Sequence, residues 1–332
     1  MSNNRWLALV IAFVLFVLSI GVRITSIPDD DGTDDDLASL FRDDGFKEKV
    51  IEQGFGSDKI VVLNLDGIIQ DLGSVSFLSS VTYDHRLFLN MIENAAADPD
   101  VKGVILRVNT PGGGVVESAE IHTALEKIID QDIPLYVSMA NTAASGGYYI
   151  SAPATKIVAH PATLTGSIGV IMENIDISEL AKEYGVDFNT IKSGEFKDIM
   201  SPMRKMTDEE EEILQSMVDD LYDDFVQVIV DGRGMPENKV REIGDGRVYI
   251  GKQAKEIGLV DELGSLEDTI AMIQTDYDLD DARVVEYQSS LSLTQLFTLS
   301  VQNIFQKDRE LVNVLNLLRE SSGPRILYLY AG

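Results

Sequence analysis

The chain has 332 residues, 45% of them hydrophobic, which is ample for a folded α/β core of one large or two small domains. Its 27 basic and 55 acidic residues give a formal net charge of −28, and a surface that acidic repels nucleic acid and anionic headgroups. The absence of cysteine excludes thiol nucleophiles, disulfides and Cys-rich zinc sites, and His85, His122 and His160 lack the spacing of a helical zinc motif.

Trp6–Val22 is uncharged and rich in Leu, Val, Ile and Phe. As a helix it spans about 26 Å at ~1.5 Å per residue. With Trp6 at one interface and Arg5 and Arg23 snorkelling, this matches a hydrocarbon core of ~30 Å. The pattern predicts a single-pass anchor over 1–25; Arg5 and Arg23 nearly balance, so a cytoplasmic position for the short tail rests on its length and on the resemblance given below. A cleaved signal peptide, with Ser19 and Gly21 as its small residues, is the competing reading. Residues 26–58 open on Pro28 and two runs of three aspartates, and like charges in a run repel and stay hydrated. They read as an acidic linker. The folded domain is expected over 59–332.

Within it, Ile60–Leu65, Gly103–Val108 and Leu135–Ala140 are short and apolar, as buried strands are. Between them lie helical patterns over Asp84–Ala97 and Val116–Gln131, the second with Ile121, Leu125, Ile128 and Ile129 at helical spacing. This βαβ rhythm predicts a mostly parallel sheet covered by helices. A long acidic helix is expected from Thr207 to about Val230, with Thr207 and Glu210 spaced as a capping box. Its stripe of Ile213, Leu214, Met217, Leu221 and Phe225 suits core or subunit-contact packing.

Two glycine-rich loops follow strand-like runs directly: Asn109–Gly114 and Ala143–Gly147. Glycine lets backbone N–H groups approach a ligand closely, which an oxyanion site requires, though tight strand-to-helix turns use glycine too. Neither loop has the Lys-Ser/Thr ending of a phosphate-binding loop. Ser145 stands at an expected helix start, where unpaired N–H groups favour a negative charge; it reads equally as a nucleophile or as a simple N-cap. Residue 143 is Ala, so the GxSxG pattern of α/β-hydrolases is not met. A serine nucleophile needs a base. Lys197 lies in a turn-rich segment with apolar neighbours, where lost hydration would lower its pKa from ~10.4 towards 7–8. Pairing with Glu195 or Asp198 is the ordinary alternative.

The stretches N-T-P-G-G-G-x-x-E-S-A-E-I, S-M-A-N-T-A-A-S-G-G-Y-Y-I-S, T-G-S-I-G-V-I and K-S-G-E-F-K-D-I-M-S-P resemble, in order, the signal peptide peptidase A family of membrane serine proteases. The likeness is to the short, single-copy form and covers essentially the whole chain. It implies a Clp protease/crotonase-like α/β fold, a spiral of ββα units assembled into a ring-shaped homo-oligomer. It implies Ser145 as nucleophile, Lys197 as general base and acid, and Ser167 as the hydroxyl that orients the lysine. The backbone N–H groups of Gly113 and Gly146 are the implied oxyanion donors. No cofactor or metal is implied. The implied substrates are remnant signal peptides, cut on the extracytoplasmic side of the cell membrane.

Two competitors share parts of this pattern: a crotonase-type acyl-CoA enzyme and a non-catalytic membrane scaffold. The membrane segment, the acidic surface and the Ser/Lys pair count against the first, and the intact Ser145 and Lys197 count against the second. The tail Ile326–Gly332 is apolar and ends in small residues, much like a cleaved signal peptide. It is expected either in the enzyme's own cleft or as a final strand buried in the fold.

Overall fold

The structure, a computed structural model, describes residues 45–71, 83–289 and 326–330. The expected anchor Trp6–Val22 and most of the acidic linker lie outside the described residues. Among the described residues no helix is long and apolar enough to cross a membrane.

The expected strands form as β2 (Lys59–Asp66), β3 (Val101–Thr110) and β5 (Leu135–Ala144), paired in parallel in that order. Each is buried along most of its length, as strands covered on both faces must be. The sheet continues through β6 (Lys156–Ala159) to the short β10 (Glu262–Leu263) on one side and through β11 (Arg283–Ser289) on the other, all parallel. Beyond β11, β1 (Phe46–Glu52) adds an antiparallel edge. Folded structure therefore starts inside the stretch expected as linker. Its polarity is that of an edge strand: β1 exposes all but its first residue, so a charged sequence here also blunts the open edge.

Side chains alternate between the two faces with the strand's period of two. Val61, Leu63, Leu65, Val104, Leu106 and Val108 face one cluster. That side is covered by α1 (His85–Ala97), α2 (Val115–Ile129) and α3 (Gly146–Ser151). Ile60, Val62, Ile105 and Tyr136 face a smaller cluster closed by Ile270 and Ile273. These two isoleucines belong to α8 (Leu266–Asp276), which is reached through α6 (Glu237–Ile243) and α7 (Gly251–Ile257). The mostly parallel α/β class expected from the sequence is what forms.

The acidic helix is α5 (Asp208–Arg233), and Thr207 and Glu210 make the expected capping box. Its stripe is not uniformly core. Phe225, Val226 and Ile229 are buried, but Ile213, Leu214 and Leu221 are half-buried and Met217 is exposed. The first turns of α5 thus project beyond the core, and the segment leading into them does the same. That segment runs from about residue 173 through the short α4 (Ser178–Glu183), which buries no residue at all.

Candidate active site

Ser145 follows the last residue of β5 and opens α3. Its backbone is left-handed, with φ 53° and ψ −117°, a conformation that costs a residue with a Cβ of order 1–3 kcal/mol. Three backbone bonds hold it there: its N–H donates to Gly166 O at 2.8 Å, and its C=O accepts from Tyr148 N and Tyr149 N. The side chain caps nothing. Ser145 is 1% exposed and its Oγ has no hydrogen-bond partner among the described residues. The plain N-cap alternative is therefore not what the fold makes of this serine. A buried hydroxyl held unpaired in a strained turn is costly unless it has another task.

β7 (Leu164–Gly166) runs parallel to the end of β5, so Ser167 emerges beside Ser145. Ser167 is also left-handed, φ 50°, and donates its N–H to Arg247 O at 2.9 Å. That carbonyl leads into β9 (Val248–Ile250), which pairs with β7.

The first glycine-rich loop becomes β4 (Gly112–Gly114), a three-residue strand entering α2. Thr110 Oγ1 accepts from Gly112 N at 3.0 Å, and Ile69 brackets the loop, donating to Gly112 O and accepting from Gly114 N. The packing leaves no room for side chains: a Cβ on Gly113 would lie 1.9 Å from Ile69 O, and one on Gly112, φ 103°, 2.7 Å from Gly146 N. The two glycine-rich loops therefore touch backbone to backbone. Gly146 is the first residue of α3, and the first N–H groups of a helix have no partner within it.

The tail lies across both loops. β12 (Ile326–Leu329) pairs antiparallel with β4 and, on its other edge, with β8 (Ile171–Met172). Tyr328 is opposite Gly113, and Tyr330 N–H donates to Pro111 O at 2.8 Å. By the alternation of an antiparallel ladder, this turns the Tyr328 carbonyl towards Gly113 N–H. The same oxygen would lie 2.0 Å from a Cβ on Gly112 and 3.2 Å from one on Gly146. The Tyr328 ring is buried against Tyr149 and Phe225, and its hydroxyl donates to Leu221 O at 3.0 Å. Clefts open on both sides of the strand: one of about 560 Å³ between Val116, Ala119, Tyr149 and Tyr328, the other of about 440 Å³ between Ser167, Val170, Tyr222 and Leu329.

Lys197 stands elsewhere, on the projecting segment, exposed, in a tight turn closed by its N–H to Gly194 O at 3.3 Å. The unpaired Ser145 Oγ shows that the Lys197 amine is not within hydrogen-bond reach of it in this chain. The fold gathers Ser145, Ser167, Gly113 and Gly146 into one place and leaves Lys197 outside. Beside Lys197 is an ion cluster that sequence reasoning missed. Arg204 forks Asp198 through Nε and Nη2 at 2.9 and 2.7 Å, and reaches Glu210 Oε2 through Nη1 at 2.7 Å. Arg204 and then Lys192 hold the Asp198 carboxyl well below its ordinary range. Arg204 likewise lowers Glu210 to about 2. The only signal for this cluster was the charge at 198, 204 and 210, and no periodicity rule connects those positions across a turn.

A family model described as Peptidase family S49 matches residues 127–280. A putative signal peptide peptidase SppA from Enterococcus faecium is 40% identical over the full length of both chains. A putative protease from Methanocaldococcus jannaschii is 35% identical over 85% of this chain and 86% of its own. A chloroplastic serine protease SPPA from Arabidopsis thaliana is 31% identical over 69% of this chain and 34% of its own length.

Proposed function

Because the chain belongs to the signal peptide peptidase A family, peptidase family S49, and is a serine-type peptidase, we propose that Ser145 is its nucleophile and Lys197 its general base. Membership sets aside the acyl-CoA and scaffold readings. The observation that carries the assignment is Ser145 itself: strained, covered and unpaired, with a peptide carbonyl lying between the two glycine loops beside it. The neutral Lys197 amine takes the Ser145 Oγ proton as Oγ attacks the scissile carbonyl, and the N–H groups of Gly113 and Gly146 receive the developing oxyanion. The proton on Lys197 then goes to the leaving amine, and a water activated by the same amine releases the acyl group. Ser167, beside Ser145, orients the amine. The scheme needs no cofactor.

Substrate enters as an added strand between β4 and β8, the track that β12 occupies. Main-chain bonds then grip any extended peptide, while the flanking clefts take apolar side chains, which suits remnant signal peptides. The anchor over 1–25 holds the enzyme at the cell membrane with the catalytic domain on the extracytoplasmic side.

The dyad closes in a ring-shaped homo-oligomer, where the projecting segment of one copy reaches the Ser145 site of the next. The exposed apolar residues of that segment support this: Ile175, Leu180, Tyr184, Val186 and Ile191, the last fully exposed. Full-length enzyme in detergent, an apolar fluorogenic peptide and a pH series from 6 to 10 test the assignment. Both Ser145→Ala and Lys197→Ala are expected to abolish cleavage across that series. Full activity in Lys197→Ala would place the base elsewhere.

A further inference from the structure

The turn that carries Lys197 also carries Glu195 and Asp198, and a carboxylate within ~4–6 Å of a lysine favours the ammonium form. An ammonium cannot accept a proton, so a general-base lysine is helped when a neighbouring carboxylate is occupied by something else. The structure occupies Asp198 fully. Its Oδ2 accepts from Arg204 Nε at 2.9 Å, and its Oδ1 accepts from Arg204 Nη2 and from Lys192 Nζ, both at 2.7 Å. Arg204 Nη2 also donates to the Asp198 main-chain oxygen at 3.1 Å, which fixes the carboxylate's own turn. Lys192 Nζ donates in addition to Glu195 O at 2.6 Å.

Arg204 cannot swing away, because its other edge is tied as well. Nη1 donates to Glu210 Oε2 at 2.7 Å and to Lys205 O at 3.1 Å, and Nη2 reaches Glu210 Oε1. The Glu210 side chain is 3% exposed and belongs to the capping box of α5, so its position is set by the helix. Lys205 is itself engaged by Glu179 at 2.8 Å. Asp198 is well covered at 13% side-chain exposure, and among the described residues Lys197 makes no ion pair.

We propose that Arg204 is a positioning residue for the Lys197 amine: its fork holds Asp198 against α5 and so denies Lys197 the carboxylate next to it. Arginine suits this role because its planar fork engages both oxygens of one carboxylate while a second edge meets Glu210. A lysine at 204 would offer a single point charge. The inference rests on Lys197 being the base, and it holds whether the amine serves its own chain or a neighbour.

The test uses full-length enzyme in detergent and pH profiles of kcat/KM for wild type, Arg204→Met, Asp198→Asn, the double variant and Lys197→Ala. In Arg204→Met, Asp198 keeps only Lys192 on Oδ1 and its Oδ2 is open to Lys197, so the rise in rate moves up by about one pH unit or more. That is roughly tenfold lower activity at neutral pH, recovering towards the wild-type plateau at high pH. Asp198→Asn is expected to have its midpoint at or below that of wild type. The double variant is expected to return there too, a rescue that lost anchoring alone would not produce. An unmoved midpoint in Arg204→Met, an equal loss at every pH, or a double variant no better than Arg204→Met would each overturn the proposal. If Arg204→Met does not fold, Arg204→Lys carries the test, since losing the fork must still move the midpoint upward. A pH rise that survives in Lys197→Ala would instead overturn the assignment of the base, an outcome distinct from all of these.

Discussion

The β3–β5 region that carries Ser145 and the projecting segment that carries Lys197 are held by different physics. Around Ser145 the restraint is close packing: buried parallel strands, two glycine loops in backbone contact and main-chain bonds that force a left-handed serine. Around Lys197 almost nothing is buried; the restraint is one arginine between two carboxylates, at the start of a helix that projects from the core. A nucleophile tolerates little displacement from its oxyanion donors, and a rigid core supplies that precision. The proposed base is delivered on an element with an apolar surface still uncovered, so its placement is coupled to whatever covers that surface.

The largest effect that separates the two regions comes from glycine. A Cβ on Gly113 would strike the Ile69 backbone oxygen, whereas one on Gly194, in the lysine turn, meets open space. Gly113→Ala is expected to lower kcat roughly 10²–10³-fold, the size of a lost oxyanion donor, and to lower Tm as well. Gly194→Ala is expected to leave Tm unchanged. Calorimetry of the two variants checks this, and equal Tm values would break the contrast between packed and open regions.

Next in size is the apolar face of the projecting segment. Ile191→Asp puts a charge where another copy is proposed to sit, and is expected to reduce the assembly's mass by analytical ultracentrifugation. Peptidase activity should fall in step, roughly tenfold or more if the site is central to the interface. Activity retained by a monomer would mean that Lys197 reaches Ser145 within one chain. Smaller again is the effect of the tail. Tyr328 fills the aromatic recess beside Phe225 and Tyr149, and its strand takes the proposed substrate track. Tyr328→Ala is expected to loosen that strand and to raise the initial rate on an added short peptide a few-fold. An unchanged rate would show that the tail does not compete.

The sequence made the packed region legible because its signals are local. Short β-branched runs such as Ile60–Leu65 and the period of Ile121, Leu125 and Ile128 are direct consequences of burial in a covered sheet, and Thr207 with Glu210 is a local capping pattern. The glycine-rich blocks marked where backbones meet. What could not be read lies in long-range pairing. β1 looked like linker because an edge strand tolerates polar residues; the tail was expected in the cleft or as a final strand, and β12 is a strand laid across the glycine loops, but its partners Gly113 and Ile171, far away in sequence, could not be named. The same holds for Arg204. Its fork spans a turn of no fixed period, so the charges at 198 and 210 appeared as unrelated acidic surface. Lys197 was found through resemblance alone, and the described chain does not bring it to Ser145.

The smallest expected effect sharpens the comparison at the hinge between the two regions. Thr207 Oγ1 accepts from Glu210 N at 3.3 Å, and Glu210 Oε2 accepts from Thr207 N at 3.0 Å, so the cap of α5 and the anchor of Arg204 share one carboxylate. Thr207→Ala removes one of these bonds and is expected to cost about 1 kcal/mol. Because the loss falls on an exposed first turn, hydrogen exchange should quicken over residues 195–212 and stay unchanged in β3 and β5. The pH dependence has a definite sign. Glu210 is depressed from 4.5 to about 2, first by the Arg204 hydrogen bond, and Asp198 is depressed by the same partner. Their contribution is therefore complete above the unfolded carboxylate values and is lost as pH falls from 4.5 towards 2. Across that window the lysine-bearing turn should lose protection before the sheet does. Simultaneous loss in both would mean that the polar cluster and the packed core open as one cooperative unit, and that the ion network is not what holds the turn.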